Sequence, residues 1–157
     1  MKAATVDGDA GAGLESVARA AVDRHHVGAA VVDRSVVVEV EGEASAVAVD
    51  GSGNVFVTGY SYGSGSSEDY TTIAYTSLGV ALWTNRYNGP GNNSDYVRAV
   101  IVDGSGNVYV TGDSYGGSAQ DYATIKYSAA GVPQWTNRYH GPSVGHNFAT
   151  AIAVDSN

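Results

Sequence analysis

The stretch VDGSGNVFVTG, Val49–Gly59, recurs as VDGSGNVYVTG, Val102–Gly112, with Phe56 replaced by Tyr109 and nothing else changed. Asp50 can accept hydrogen bonds from the amides of the turn, Gly51 and Gly53 can take positive φ at little cost, and Asn54 tolerates left-handed geometry. On that reading DGSGN is a hairpin turn. Its rival, a calcium loop, needs several oxygen ligands, and Asp50 with Asn54 is a thin set. The residues after the turn alternate, Val55 and Val57 on one face and Phe56 and Thr58 on the other, as in a strand.

The repetition extends outward from this phrase. DYTTIAYTSLGVALWTNRYNGP, Asp69–Pro90, matches DYATIKYSAAGVPQWTNRYHGP, Asp121–Pro142, at 14 of 22 positions. The offset is 53 at Asp50 and Asp103 but 52 at Trp83 and Trp135, so one residue is lost where SYGSGSSED becomes SYGGSAQD. A third copy begins at Ala151–Asp155, again 52 residues after Ala99–Asp103. Each unit divides into four strand-like pieces. In the first they are Ala46–Val49, small and apolar and suited to burial on both faces, then Asn54–Thr58, Asp69–Thr76 and Ala81–Tyr87. On the last, Trp83, Asn85 and Tyr87 share one face, and Leu82, Thr84 and Arg86 the other. Four antiparallel strands every 52 residues, small residues first and aromatics last, fit a propeller blade that widens from axis to rim.

The expected fold is therefore all-β: two complete four-stranded blades, at 44–96 and 97–148, and the first strand of a third at 149–157. Residues 1–43 stand outside the repeat as a short irregular or helical segment. A helix from about Leu14 to Arg24 is suggested by the spacing of Leu14, Val17, Ala21 and Val22, and a half-exposed strand by the alternation through Val36, Val38 and Val40.

Composition bounds the function. Of 157 residues 8 are basic and 16 acidic, a net charge of -8, which repels phosphate backbones and anionic membrane surfaces, so no nucleic-acid partner is expected. The start, MKAATVDGDAGAG, lacks the apolar run of a signal peptide, and no stretch reaches the roughly 18 to 20 apolar residues of a membrane helix, so no membrane insertion is expected. Cysteine is absent, which removes thiolate chemistry and disulfides. Glycine at 21 residues and tyrosine at 11 suit many short strands joined by tight turns, and 43% hydrophobic residues can supply a core.

Catalytic patterns are missing. His25 and His26 are adjacent and splay apart on a helix, and His140 and His146 lie in a Gly-Pro loop without metal-ligand spacing, so no metal or other cofactor is expected. Glu68 and Asp69 lie near Asp121 in the repeat alignment, and these carboxylates are expected to pair with Arg86 or Arg138 or to end a strand, since acid-base work needs two differently tuned groups. Trp83 and Trp135 are expected between blades. A binding surface is the more open possibility. Tyr60, Tyr62 and Tyr115, with Asn92, Asn93, Asp95 and Asp113, combine flat rings with hydrogen-bonding tips, the mixture that holds sugars or protein surfaces.

AVAVDGSGNVFVTG, DYTTIAY and GVALWTNRYNGP resemble the bacterial β-propeller repeat called SBBP, with its D-x-x-G-N-x-Y-V-T-G hairpin, D-Y/F-x-T-x-K-Y strand and W-x-x-R-Y-N-G-P strand. The likeness covers Ala44–Asn157. It implies a multi-bladed propeller of an exported or surface-attached bacterial protein, with no enzymatic activity attached to particular residues. Propellers close with four to eight blades, whereas this sequence holds two and one strand. Self-association as a homo-oligomer, or membership of a larger propeller, is the expected remedy. The leading functional expectation is a non-catalytic scaffold or interaction module. A lectin-like glycan binder assembled as a ring comes next, and a propeller lactonase or lyase last, because Ala46–Val49 and Ala99–Val102 offer an axis no metal ligands.

Overall fold

In a computed structural model of the protein, the residues described are 22–23, 26–27, 42–63, 65–142 and 145–155. Ten strands follow in chain order: β1 Val22–Asp23, β2 His26–Val27, β3 Gly42–Val49, β4 Val55–Tyr62, β5 Glu68–Tyr75, β6 Ala81–Tyr87, β7 Asp95–Val102, β8 Val108–Tyr115, β9 Gln120–Tyr127 and β10 Pro133–Tyr139. β1 and β2 pair with each other. The rest form two antiparallel sheets, ordered β3-β4-β5-β6 and β7-β8-β9-β10, each a meander built from one sequence repeat. These are the two expected blades. Their first strands open slightly earlier than the repeat arithmetic placed them, at Gly42 and Asp95.

The DGSGN phrase is the hairpin turn between the first two strands of each blade. Asp50 Oδ1 accepts from the amides of Ser52 and Asn54 at 2.8 and 2.9 Å, and Oδ2 from the Asn54 side chain at 2.8 Å. Asp103 repeats all three contacts with Ser105 and Asn107 and also accepts from the Tyr109 hydroxyl at 3.0 Å. Both carboxylate oxygens thus serve the turn. Only Gly53 and Gly106 take positive φ, 80° and 78°; Gly51 and Asn54 keep ordinary backbone angles, contrary to the freer expectation.

The two faces of each sheet have different fates. Phe56, Tyr70 and Ala74, with Trp83 and Tyr87, project from the first blade onto Val97, Val108, Val110, Ala123, Ile125 and Tyr127 of the second, and together form the main core. Trp83 sits between Phe56 and Tyr127, with ring centroids at 6.1 and 5.8 Å. Two hydrogen bonds lock this seam: Trp83 Nε1 donates to the Ala129 carbonyl at 3.1 Å and Asn85 Nδ2 to that of Gly131 at 2.7 Å. Trp83 is therefore inter-blade core, as its strand position implied. The opposite face of the first blade carries a smaller cluster of Ala44, Val55, Val57, Ile73 and Tyr75.

Three expectations need correction. Ala46–Val49 is half-buried rather than enclosed on both faces, and Val49 is 42% exposed. Only one face of each blade is covered by the other blade of the chain, so small size here does not bring complete burial. Residues 149–155 form no strand. Their counterparts in the complete blades pair with the strand after the DGSGN turn, whereas 149–155 have no such partner among the described residues, and a strand without a ladder partner leaves its backbone to solvent. Most of the helix expected at Leu14–Arg24 and all of the strand around Val36–Val40 lie outside the described residues, but Val22–Asp23 is extended. Val22 pairs with Val27 and Asp23 with His26.

Candidate functional site

The seven tyrosine, asparagine and aspartate residues singled out from the sequence do not converge on one surface. Tyr60 and Tyr62 lie within β4, and Asp113 and Tyr115 within β8, rather than in loops. Asp95 opens β7 and is fully buried. It accepts from the Gly89 amide at 2.5 Å and the Tyr115 amide at 2.9 Å, tying the connection between blades to the end of β8. Burial pushes its carboxyl above the usual range, against the lowering effect of these bonds and one from Ser114. Asn92 and Asn93 are exposed on the same connection. Asn92, at φ 47°, donates to the Gly65 carbonyl at 3.1 Å, and Asn93 accepts from the Ser94 amide at 2.8 Å. Tyr62 is exposed and donates to Glu68 at 3.1 Å.

The repeated carboxylates hold arginines. Arg86 lies 3.7 Å from Asp69 and donates to the Ser61 carbonyl at 2.7 Å; Arg138 lies 2.9 Å from Asp121 and donates to the Ser114 carbonyl, also at 2.9 Å. Each guanidinium therefore clamps the fourth strand of its blade to the end of the second. Arg138 also donates to the Tyr87 hydroxyl at 2.9 Å, joining the blades. Asp121 carries a second partner, His140 Nδ1 at 2.6 Å. Burial works against its charge, but hydrogen bonds from His140 and Arg138 outweigh that and hold its carboxyl below the usual range.

One polar cleft opens between the blades where β3 runs beside β7. It measures about 230 Å³ and is lined by Glu43, Ser45, Tyr60, Tyr96, Val97 and Arg98. Ser45 and Arg98 are the residues skipped by matching β-bulges, between Ala44 and Ala46 and between Val97 and Ala99. A bulge leaves its extra residue unpaired and redirects its side chain. The Tyr60 and Tyr96 rings meet edge to face at 5.1 Å and 89°. Tyr60 donates to Glu43 Oε2 at 3.0 Å, and burial with this acceptor pushes its phenol up to about 12. Arg98 is fixed by the fully buried Asp113: Nε lies 3.2 Å from each carboxylate oxygen and Nη2 lies 2.6 Å from Oδ2. Its guanidinium carbon stands 5.8 Å from the Tyr96 ring centre. Of the residues named from sequence, Tyr60 and Asp113 belong here, and Glu43, Ser45, Tyr96 and Arg98 were missed. The available signal lay in the differences between the repeats, not in their identity.

The second noteworthy surface is the outward face of the second blade. Tyr109, Tyr122, Trp135 and Tyr139 stand at the repeat positions of Phe56, Tyr70, Trp83 and Tyr87. In the first blade these side chains form the seam; here Trp135 is 40% and Tyr139 54% exposed. Trp135 is thus not inter-blade core within this chain, contrary to expectation. The ring spacings are nonetheless kept, with Tyr109–Trp135 centroids at 6.1 Å, as for Phe56–Trp83, and Tyr122–Tyr139 at 5.6 Å against 5.5 Å for Tyr70–Tyr87, while the rings are tilted differently, 59° against 43° and 32° against 60°.

The family model for SBBP, a beta-propeller repeat, matches residues 43–65 and 82–118. These two segments are similar to that family's repeat, and they cover most of the first blade's inner hairpin and the first half of the second blade. The second matched segment starts on the outermost strand of the first blade and ends after the second strand of the next, so one family unit straddles the seam at Trp83. No curated protein matches the chain.

Proposed function

We propose that this is a non-catalytic β-propeller repeat module, a structural or interaction scaffold of an exported or surface bacterial protein, whose outward face on the second blade receives a further blade. The observation that supports the reading is that Tyr109, Tyr122, Trp135 and Tyr139 repeat the positions and ring spacings of the residues that make the buried seam one blade earlier, yet stand open. Repeat units bury their faces against neighbours, and an aromatic face left open is a docking surface.

A second copy of the chain offers the matching half. Val55, Val57, Ile73 and Tyr75 occupy the repeat positions of Val108, Val110, Ile125 and Tyr127, the residues that receive the first blade. Head-to-tail contact of this kind builds rings when the rotation closes. The matching set is already buried within the single chain, so docking exchanges one cover for another and is expected to be slow as well as concentration-dependent. Export enters the proposal only through the resemblance to SBBP repeats.

Light scattering coupled to size exclusion tests this reading. Trp135→Glu should dissociate the assembly and leave the blades folded; an assembly unaffected by that substitution would contradict it.

A further inference from the structure

The two repeats act as an internal comparison of what the fold needs. Aligning Glu43–Tyr62 with Tyr96–Tyr115 leaves fourteen of twenty positions identical, including the whole turn and nearly all of the second strand. The six that differ are Glu43/Tyr96, Ala44/Val97, Ser45/Arg98, Ala48/Ile101, Phe56/Tyr109 and Tyr60/Asp113. All six residues lining the inter-blade cleft come from these differing positions. The seventh participant, Asp113, which holds Arg98 from behind, does too. Four of the six differing pairs supply the cleft and the carboxylate behind it, so the cleft is built from positions at which the blade accepts either residue.

From this placement we infer that the cleft is a binding site for one ring of a neutral sugar. The cleft shares no lining residue with the docking face of Tyr109, Tyr122, Trp135 and Tyr139. Arg98 uses Nε and Nη2 on Asp113, and among the described residues Nη1 makes no hydrogen bond, so a fixed donor remains. Glu43 uses Oε2 on Tyr60, which leaves Oε1 as a fixed acceptor, and Ser45 adds a hydroxyl. A donor, an acceptor and a hydroxyl beside two phenol rings suit a ligand with several hydroxyls and an apolar flank. Charge selects among such ligands. Asp113 balances Arg98 and Glu43 leaves one net negative charge, so an anionic sugar is disfavoured, while a single carboxylate already bonded to Tyr60 is a weak cation site. Size points the same way, since about 230 Å³ is below the roughly 300–1,000 Å³ that encloses drug-sized ligands. One ring of about a dozen heavy atoms, held in an open cleft, should bind with Kd of about 1 mM.

Saturation-transfer NMR on the full chain provides the test. The neutral probes are the methyl glycosides of glucose, mannose and galactose; glucuronate serves as the anionic arm and choline as the cationic arm. At least one neutral glycoside should give a saturable signal near 1 mM, with glucuronate and choline at least tenfold weaker. The variant Tyr96→Glu/Arg98→Ser/Asp113→Tyr gives the second blade the first blade's residues at these positions. It should fold, by circular dichroism and thermal melting, and lose at least tenfold in affinity. Glu43→Gln, which keeps shape and removes the charge-assisted acceptor, should lose about fivefold and decides the matter if the triple variant does not fold. Failure of all three neutral probes at about ten times the expected Kd would overturn the inference. Neutral binding that survives both variants, or preference for glucuronate or choline, would do the same.

Discussion

Trp83 rests on Gly131: a Cβ at that glycine would stand 2.5 Å from the indole ring, and Gly131 also holds φ 79°. The outer strand of one blade thus packs against a turn of the next at a point that has no room for a side chain. Gly131→Ala should cost about 2–3 kcal/mol, from left-handed strain and from displacement of the ring. Thermal melting checks this, and Trp83 fluorescence should shift toward that of a more exposed indole.

Equivalent tryptophans should behave differently. Trp83→Ala removes a ring packed between Phe56 and Tyr127 and is expected to destabilise the chain by about 3 kcal/mol. Trp135→Ala, on the open face, should change the stability of the single chain by less than about 0.5 kcal/mol. Urea melts at low protein concentration separate the two.

Arg98→Ala leaves Asp113 buried without its cation. Breaking a buried pair from one side costs about 3–5 kcal/mol, and the half-exposed guanidinium lowers that to about 2 kcal/mol here. Arg98→Ser combined with Asp113→Tyr should recover most of the loss, because Ser45 and Tyr60 fill the equivalent places in the first blade. Denaturant midpoints of the single and double variants provide the cycle.

Acid should weaken the fold through Asp121. Its native carboxyl is held below the usual range, so its contribution is complete above the unfolded value of about 4 and is lost as pH falls through the depressed native value. Asp121→Asn should therefore lower stability at neutral pH and flatten its decline below pH of about 4. Asp95 works in the opposite sense: its raised native carboxyl favours the protonated fold, so its share of stability declines as pH rises through the acid range. Melting temperature against pH for the wild-type chain, Asp121→Asn and Asp95→Asn reads the two slopes.

Much of this architecture was legible in the sequence because the determinants are local. Asp50 and Asn54 write the hairpin within five residues, and the alternation at Trp83, Asn85 and Tyr87 names a face before any contact is known. What that face touches is not local. Trp83 and Trp135 sit in the same WTNRY phrase, yet one is sandwiched and the other open, because burial depends on which blade comes next. Asp95 and Asp113 look like surface ligands when read among Tyr, Ser and Asn, but the register puts both inside, where backbone amides and Arg98 satisfy them. The cleft residues were obscured by the repeat itself. Glu43, Ser45, Tyr96 and Arg98 are positions at which the repeats differ, and the bulges that redirect Ser45 and Arg98 emerge only from strand pairing.

The two blades stack face on face around Trp83, and the proposed function requires the outward aromatic face of the second blade to take up another in the same way. Molar mass by light scattering during size exclusion tests it most directly. The wild-type chain should elute as a multiple of 16.1 kDa that Trp135→Glu reduces to a single unit. A wild-type mass of 16.1 kDa at every concentration, unchanged by the substitution, would contradict it.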